Sequence, residues 1–374
     1  MTPGLTGKMR LAASALATRT IELDCDRLPF RYEKVGWRKL LNWIGLEASI
    51  CARSVRPWGL PTHIQVEPCN LCNLRCSLCP VTDGLGVPTG FMDFDLFKRL
   101  VDEVCGTVLL MLLWEWGEPF VHPRIYDMIA YAASKGIKVI SSSNGHRFAD
   151  PEQACSVVRS GLDTLIFALD GISQETYERY RQGGKLETVL NGIRNVVAAK
   201  RASGSAAPRI NLRFIVMKYN EHEIPLLPPL ARSLGVDVLT LKTLYPGHDC
   251  DPAKDAENPF IPENPDYQRF RYSPETGARI RVQENLCKHL WNAPSVRWDG
   301  KLVSCGFDIH QSRVLGDLTT SAFRDIWYGK EYQDMRREFR HRWDTLPICG
   351  RCSYAWVGGN CARETVHEAV IPGA

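Results

Sequence analysis

The chain lacks the long apolar segment that a membrane-spanning helix requires. A bilayer span needs about 20 consecutive apolar residues, and the longest apolar run here, residues 108–114, has the length of a β-strand. The stretch from Lys8 to Thr18 resembles a signal peptide only faintly, because Arg10 and Ser14 interrupt it. We therefore expect a cytoplasmic protein without a membrane-spanning helix.

The sequence also lacks an excess of one charge, internal repeats and low-complexity tracts. With 46 basic and 42 acidic residues, the formal net charge is only +4, so a nucleic-acid partner is not expected. Hydrophobic residues make up 44% of the 374 positions, which is enough for a sizeable core. A chain of this length predicts two or three domains, unless one barrel takes up most of it.

Cysteine, by contrast, is abundant and unevenly distributed. Of the 14 cysteines, one group lies between residues 69 and 79 and another between residues 287 and 361, with few between them. Disulfide frameworks belong mainly to small secreted domains. Two separate groups instead predict two metal sites in a reducing compartment.

The predicted organisation begins with a helical extension over residues 1–60. Basic residues alternate with Trp37, Leu41, Trp43 and other apolar residues, which favours amphipathic helices. Such helices pack against a main domain, or they contact a membrane surface or a partner. Both interpretations remain open.

From residue 63, short apolar segments alternate with helical ones. We predict six strands, and their apolar composition is typical of parallel strands buried on both faces; they cover residues 63–67, 108–116, 137–142, 164–169, 210–217 and 236–242. The predicted fold class is therefore α/β, with a barrel over residues 61–245 and its site at the carboxyl ends of the strands.

Two further regions follow the barrel. Residues 246–284 are rich in Pro, Asp and Asn, which predicts a linker or a lid loop. Residues 285–374 form a compact cysteine-bearing domain. In it we expect a hairpin with a type I′ turn at Asp299-Gly300 and a helix over residues 321–340.

Cys72, Cys76 and Cys79 form a Cys-x3-Cys-x2-Cys motif just after the first predicted strand. Three thiolates on one loop can hold three irons of a [4Fe–4S] cubane and leave the fourth iron without a protein ligand. A zinc site is the alternative, if Cys69 or His63 supplies a fourth ligand.

This motif and its surroundings resemble the radical S-adenosylmethionine (SAM) superfamily over about residues 63–244. The second strand of that family ends in a "GGEP" motif that binds the SAM amino group; here Gly117-Glu118-Pro119 matches it, with Trp116 in the first glycine position. The resemblance implies a partial (β/α)6 barrel and a 5′-deoxyadenosyl radical formed from SAM at the open iron. It also implies that the Glu118 carboxylate faces SAM and that Cys69 is not a ligand.

Four more positions extend the resemblance to SAM-binding residues. Asn144 belongs to a "TNG"-like segment, and Asp170 to an "SLDG"-like segment in which Ala168 replaces the serine. Arg213 stands where relatives place a basic residue near the SAM carboxylate, although a strand arginine can also simply reach solvent. Leu78 stands where many relatives have an aromatic residue beside the adenine.

The second cysteine group can close a four-ligand site for an iron–sulfur cluster or for zinc. It resembles the SPASM/twitch extension of radical SAM enzymes over about residues 285–361. A full SPASM domain has seven cysteines and two clusters, whereas this segment has five cysteines. The resemblance implies one auxiliary [4Fe–4S] cluster bound by Cys287, Cys305, Cys349 and Cys352, with Cys361 as a bystander or an alternative ligand.

The resemblance implies abstraction of a hydrogen atom from an unactivated C–H bond, with flavodoxin or ferredoxin as electron donor. We expect oxidation or epimerisation of a small molecule. A peptide-modifying maturase is the alternative, although residues 1–60 look purely helical and too short for a leader-binding module of strands and helices. A zinc-binding scaffold without catalysis is a third hypothesis.

Cys250 belongs to neither cysteine group and follows the sixth predicted strand. A thiol can return a hydrogen atom to a carbon radical, so Cys250 is our candidate donor if the reaction is an epimerisation. An ordinary loop thiol is the other interpretation.

Overall fold

The computed structural model of the protein describes residues 5–26, 28–246, 255, 257–359 and 365–368. The chain begins with helix α1 (Leu5–Thr18), the strands β1 (Ile21–Cys25) and β2 (Leu28–Tyr32), and helix α2 (Trp37–Cys51). None of the described helices is long and apolar enough to cross a bilayer.

The hairpin formed by β1 and β2 corrects the expectation that residues 1–60 contain helices alone. The two strands pair antiparallel, with Ile21 opposite Tyr32 and Cys25 opposite Leu28. Apolar and polar residues alternate along both strands, in the period of two that a half-buried strand requires. Two helices are present as expected, but between them the alternation of apolar and polar residues produces two strands and not a helix.

All six predicted parallel strands are confirmed. They are β3 (His63–Val66), β4 (Leu110–Leu112), β5 (Lys138–Ser143), β6 (Thr164–Ala168), β7 (Arg209–Val216) and β8 (Val238–Thr243). Each pairs parallel with the next in chain order. The helices among them are α3 (Pro80–Asp83), α4 (Phe94–Val104), α5 (Ile125–Ser134), α6 (Pro151–Arg159), α7 (Gln174–Tyr180), α8 (Leu186–Ser203) and α9 (Leu227–Leu234).

The parallel sheet is a partial barrel, because its two outer strands pair with other strands and not with each other. Strand β3 pairs with β9 (Ser295–Val296), and β8 pairs with β12 (Thr365–Glu368). β9 is followed by β10 (Lys301–Val303) and β11 (Val314–Asp317), and the ten strands have the order β11-β10-β9-β3-β4-β5-β6-β7-β8-β12. The C-terminal region therefore extends the barrel sheet directly.

The two faces of the parallel sheet pack against different elements. Residues such as Val139 and Leu165 belong to the core that includes helices α4 to α9. Their neighbours Ile140 and Ile166 face the other way and pack with Ile21, Phe30, Trp43 and others of the N-terminal segment. The N-terminal hairpin and α2 thus cover the inner face of the barrel.

The C-terminal region contains the helices α10 (His289–Asn292), α11 (Phe323–Trp327) and α12 (Lys330–Arg342). The helix predicted over residues 321–340 is therefore two helices, separated at Tyr328-Gly329. The hairpin at Asp299-Gly300 is present, but the prediction of a type I′ turn is wrong. Only Gly300 has a positive φ, of 87°, and three residues connect Arg297 to Lys301, as in hairpins that combine a type I turn with a left-handed glycine.

Candidate active site and cluster-binding sites

The loop after β3 carries Cys72, Cys76 and Cys79 and is held by the segment that follows α7. The backbone N–H of Arg75 donates to the Gln182 carbonyl at 3.1 Å, and that of Ser77 donates to the Tyr180 carbonyl at 2.9 Å. Two β→α loops of the barrel are thereby fixed against each other.

The Cys72 thiol is partly buried beside Glu118 and the two other cysteines of this loop. Burial raises the pKa of Cys72 to about 11, and Glu118, Cys76 and Cys79 raise it further. Hydrogen-bond donors also face the sulfurs: the Leu74 N–H lies 3.4 Å from the Cys72 sulfur. Such donors favour the thiolate form, which is the form that binds iron.

Arg181 is a site residue that the sequence did not reveal. Its Nη1 lies 3.6 Å from the Cys76 sulfur, and the same guanidinium donates to the Asp170 carboxylate, which is fully buried. Asp170 also accepts the Ile215 N–H at 2.7 Å. The predicted SAM-binding Asp170 therefore orients a cation beside the cysteine loop.

The loop after β4 is locked against the cysteine loop. Gly117 has a φ of 93°, and a Cβ at this position would lie 2.7 Å from the Leu71 carbonyl oxygen and 2.8 Å from that of Cys69. The Glu118 N–H donates to the Leu71 carbonyl at 2.8 Å. Only glycine permits this approach. Pro119 then begins a buried 3₁₀ turn.

The Glu118 carboxylate is buried and bound within the protein. It accepts the Phe120 N–H at 3.1 Å, the Ser143 hydroxyl at 2.9 Å and the Asn144 N–H at 2.7 Å. The Asn144 amide in turn donates to the Asn73 side chain at 2.8 Å. Glu118 therefore joins the ends of β4 and β5, and Asn144 joins them to the cysteine loop.

Leu78 and Arg213 lie on different parts of the barrel. Leu78 sits between two of the cysteines with a φ of 62°, a left-handed conformation that is uncommon for leucine. The Arg213 guanidinium faces the N-terminal hairpin, where it pairs with Asp26 at 2.5 Å. Lys242 pairs with the same carboxylate at 2.9 Å.

Cys69 is buried, and its thiol is in contact with two carbonyl groups. The S–H donates to the Glu118 carbonyl at 3.3 Å, and burial raises the pKa of this thiol to about 12. The Cys69 thiol therefore ties the two loops together.

Four cysteines of the second group, Cys287, Cys305, Cys349 and Cys352, line one cavity together with the apolar side chains of Leu290, Phe307, Phe339 and Ile348. Burial raises the pKa of Cys287, Cys305, Cys349 and Cys352, to about 12 for Cys305. For the first three of these, neighbouring cysteine sulfurs raise the pKa further.

The donors around this cavity fit a thiolate-bound cluster. Backbone N–H groups of His289, Phe307 and Tyr354 face the cysteine sulfurs. Two buried polar atoms at the cavity, Asn285 Nδ2 and Ser304 Oγ, have no hydrogen-bond partner among the described residues. A buried donor without a partner is costly, and cluster sulfur would satisfy both.

The described part of the chain contains no three His, Cys, Asp or Glu side chains that converge closely enough to share a single metal ion. Cysteines that bind separate irons of a cubane do not have to meet this requirement.

A buried charge network connects the two cysteine regions, and the sequence did not reveal it. Arg297 pairs with Glu115 at 2.7 Å and with Glu67 at 3.4 Å, and all three side chains are at most 2% exposed. Burial and the nearby Glu115 raise the pKa of Glu67 to about 8, although Arg297 opposes this. The Trp116 indole completes the connection by donating to the Gly306 carbonyl at 3.0 Å.

Two candidate residues, Cys250 and Cys361, lie outside the described residues. Their predicted roles stay predictions.

Known families match both parts of the chain. The radical SAM superfamily matches residues 66–224, and SPASM, an iron–sulfur cluster-binding domain, matches residues 287–353.

Three curated relatives cover most of the chain. A tungsten-containing aldehyde ferredoxin oxidoreductase cofactor-modifying protein of Pyrococcus furiosus is 25% identical over 315 residues, covering 78% of this chain and 87% of the relative. An AdoMet-dependent heme synthase of Methanosarcina barkeri is 24% identical over 322 residues, covering 78% and 88%. Mycofactocin maturase of Mycobacterium tuberculosis is 23% identical, covering 85% and 79%.

The fold is also similar to a solved structure, that of Streptococcus suis SuiB bound to precursor peptide SuiA. The TM-score is 0.58 at 12% identity, and the match covers 92% of this chain and 82% of the other. The chain therefore belongs to the radical SAM superfamily with a C-terminal SPASM domain, and its cofactors are SAM, the [4Fe–4S] cluster that binds it and an auxiliary [4Fe–4S] cluster.

Proposed function

We propose that the chain abstracts a hydrogen atom from an unactivated C–H bond of a small molecule, in an oxidation or an epimerisation. In this proposal Cys72, Cys76 and Cys79 hold the SAM-binding cluster, and Cys287, Cys305, Cys349 and Cys352 hold the auxiliary cluster. When bound, the first cluster supplies the electron that cleaves SAM to methionine and the 5′-deoxyadenosyl radical.

The proposal rests on one observation, which is that both cysteine regions are built on the same sheet. The first loop follows β3, and Cys305 follows β10, which belongs to the hairpin that pairs with β3 through β9. Arg297 pairs with glutamates that follow β3 and β4. A shared rigid support of this kind holds two redox centres in a fixed relation.

The residues of the loops have positioning roles in this proposal. Glu118 fixes the ends of β4 and β5 and thereby orients the backbone of the Gly117-Glu118-Pro119 turn toward SAM. Arg181, held by Asp170, places a cation beside Cys76 and compensates the negative charge of the bound thiolate. Arg213 and Lys242 both pair with Asp26 on the inner face of the barrel.

Four cysteines at the second site leave no iron open to substrate, which favours electron transfer over substrate binding there. This supports an oxidation, in which the substrate radical loses one electron and one proton. The relative that is named for heme synthesis supports a small-molecule substrate. Cys250 remains the proposed hydrogen-atom donor if the reaction is an epimerisation.

Peptide modification is the second candidate, and one observation favours it. Residues 5–51 contain two strands between two helices, which removes the argument that this segment is purely helical. The similarity to mycofactocin maturase covers 85% of the chain.

One experiment separates these possibilities. Reconstituted protein is incubated without oxygen with SAM, reductant and either small-molecule or peptide pools, and the products are analysed by mass spectrometry. Deoxyadenosine that forms only with one pool identifies the substrate class. A product two mass units lighter indicates oxidation, and an isomer with solvent deuterium at carbon indicates epimerisation.

The metal content tests the ligand assignment. We expect about eight irons per chain from two cubanes, and about half of them after joint replacement of Cys72, Cys76 and Cys79 by Ala. Full iron content in that triple variant would contradict the assignment of the first cluster. Zinc in place of iron and sulfide would support a scaffold without catalysis.

A further inference from the structure

Asn285 lies at the cavity of the second cysteine group and connects it to Arg53. Its side chain is 2% exposed, and its Oδ1 accepts the backbone N–H of Cys287 at 2.9 Å. Its backbone carbonyl accepts Arg53 Nη2 at 3.1 Å. With the oxygen engaged in this way, the Nδ2 group of the amide is directed to the other side.

The Nδ2 group of Asn285 has no hydrogen-bond partner in the described part of the protein. Asn285 lines the cavity together with Cys287 and Cys352. Burial raises the pKa of the Cys352 thiol, and the N–H groups of Tyr354 and Ala355 and the Asn285 side chain lower it. Asn285 therefore holds the Cys287 backbone through its Oδ1 and keeps a donor without a partner at the cavity that Cys352 lines.

Ser304 stands in a similar relation to Cys305. It is 1% exposed, and its hydroxyl has no hydrogen-bond partner within the described residues. Ser304 lines the cavity beside Cys305. Two buried donors without partners thus lie at the cavity that the four cysteines line.

We propose that Asn285 and Ser304 donate hydrogen bonds to the sulfurs of Cys352 and Cys305 in the loaded protein and thereby raise the reduction potential of the auxiliary cluster. The inference rests on the proposed ligand set of Cys287, Cys305, Cys349 and Cys352. Neither side chain is a ligand, so both are positioning and tuning residues.

The physical reason is the charge that reduction adds. A four-thiolate cubane becomes more negative when it gains an electron, and much of that charge lies on sulfur. Donors to sulfur therefore stabilise the reduced form more than the oxidised form, which raises the potential. The surrounding apolar side chains, among them Leu290, Phe307 and Phe339, screen this effect less than water would.

The reduction potential of the auxiliary cluster affects whether the substrate radical is oxidised or regains a hydrogen atom. A higher potential makes the auxiliary site a better acceptor for the electron that a substrate radical gives up on oxidation. The two donors would then favour oxidation over return of a hydrogen atom to the radical.

The test isolates the auxiliary cluster in the full chain by replacing Cys72, Cys76 and Cys79 with Ala. Ser304→Ala and Asn285→Ala are introduced into this background, and redox titrations are followed by visible absorption and electron paramagnetic resonance. At a fixed ambient potential, we expect the ratio of reduced to oxidised cluster to fall about tenfold in each variant, which corresponds to about 59 mV for one electron.

Two matched controls distinguish tuning from a general loss of packing. Ser304→Thr keeps the hydroxyl and should leave the ratio within about twofold of the parent. Asn292→Ala removes another buried asparagine of the same region, one that does not line the cavity, and should also leave it unchanged.

Different results would overturn the tuning role of Asn285 and Ser304 and the proposed ligand set. An unchanged ratio in Ser304→Ala and Asn285→Ala, with about four irons retained, overturns the tuning inference and leaves the cluster site intact. Absence of any iron–sulfur cluster in the triple-cysteine background overturns the proposed ligand set itself. If Asn285→Ala fails to hold the cluster, the comparison of Ser304→Ala with Ser304→Thr decides.

Discussion

The thiol of Cys69 differs from those of the three cysteines that follow it, because it donates to the Glu118 carbonyl at 3.3 Å. We expect Cys69→Ala to retain the iron content of the parent, whereas Cys72→Ala, a change of the same size three residues away, should lose the first cluster. Iron analysis and the visible spectrum of the reconstituted variants measure this. Loss of about half the iron in Cys69→Ala would show that Cys69 is a ligand.

The resemblance implies that the Glu118 carboxylate faces SAM, and we propose that it acts on SAM through the loop ends that it holds. Its carboxylate accepts three hydrogen bonds from the ends of β4 and β5, and Glu118→Gln can no longer accept all of them. We expect SAM to bind about tenfold more weakly, a loss of about 1.4 kcal/mol, while iron content is unchanged. Equilibrium binding of SAM to the reconstituted variant measures this, and unchanged affinity would contradict the proposed role.

The N-terminal hairpin depends on a single carboxylate at its tip. Burial alone would raise the pKa of Asp26, but Arg213 and Lys242 hold it below the ordinary value. Asp26→Asn removes the largely buried carboxylate with which Arg213 and Lys242 both pair, so we expect a loss of about 3 kcal/mol in the free energy of unfolding. Chemical denaturation measures this. Asp24→Asn, at an exposed position of the same hairpin, should change stability by less than about 0.5 kcal/mol.

His63 begins β3 and is largely buried, which lowers its pKa to about 3. The unfolded chain has the ordinary value of about 6.5, so it binds the proton more readily than the folded protein. The stabilisation is complete above pH 6.5 and is lost as the pH falls toward 3. We expect the protein to lose about 1.4 kcal/mol more than His63→Gln between pH 8 and pH 5.5. His222→Gln, at an exposed position, should keep the parent pH dependence, and an equal dependence in all three proteins would contradict this assignment.

The strands of the barrel could be predicted because each is a short run of apolar residues between turn signals. The hairpin β1–β2 was missed, although Ile21, Leu23 and Cys25 alternate with polar residues, because the tryptophans and basic residues that follow favour helices. Asn144 and Asp170 could be singled out as candidates because they belong to local motifs, and both connect to the cysteine loop in the structure. Pairings such as Arg181 with Cys76, or Arg297 with Glu67 across 230 positions, depend on packing that no local pattern encodes.

The C-terminal region is part of the barrel sheet as well as the carrier of the second cysteine group. Strand β9 pairs parallel with β3, so the sheet runs across the predicted boundaries between residues 61–245 and 285–374. These boundaries remain predictions. The continuity means that the cysteine cavity has one wall built on a stable sheet and another built from the loop that carries Cys349 and Cys352.

These two walls should respond differently when the clusters are removed. Strands β5 to β7 lie inside the sheet and pack on both faces. The loop around Cys349 and Cys352, in contrast, lines the cavity of the proposed auxiliary cluster. Because cluster binding supplies folding free energy to the segments that hold its ligands, we expect the apo-protein to lose stability locally.

Hydrogen exchange of the reconstituted and chelator-treated proteins, both without oxygen, measures this difference. We expect amide protection to fall at least tenfold over residues 285–290 and 349–355 in the apo-protein, and to change by less than about twofold in β5 to β7. The protein with Cys72, Cys76 and Cys79 replaced by Ala serves as control, since it should keep the protection of the C-terminal segments. An equal loss of protection throughout the chain would show that the clusters support the whole fold and not the loops that bind them.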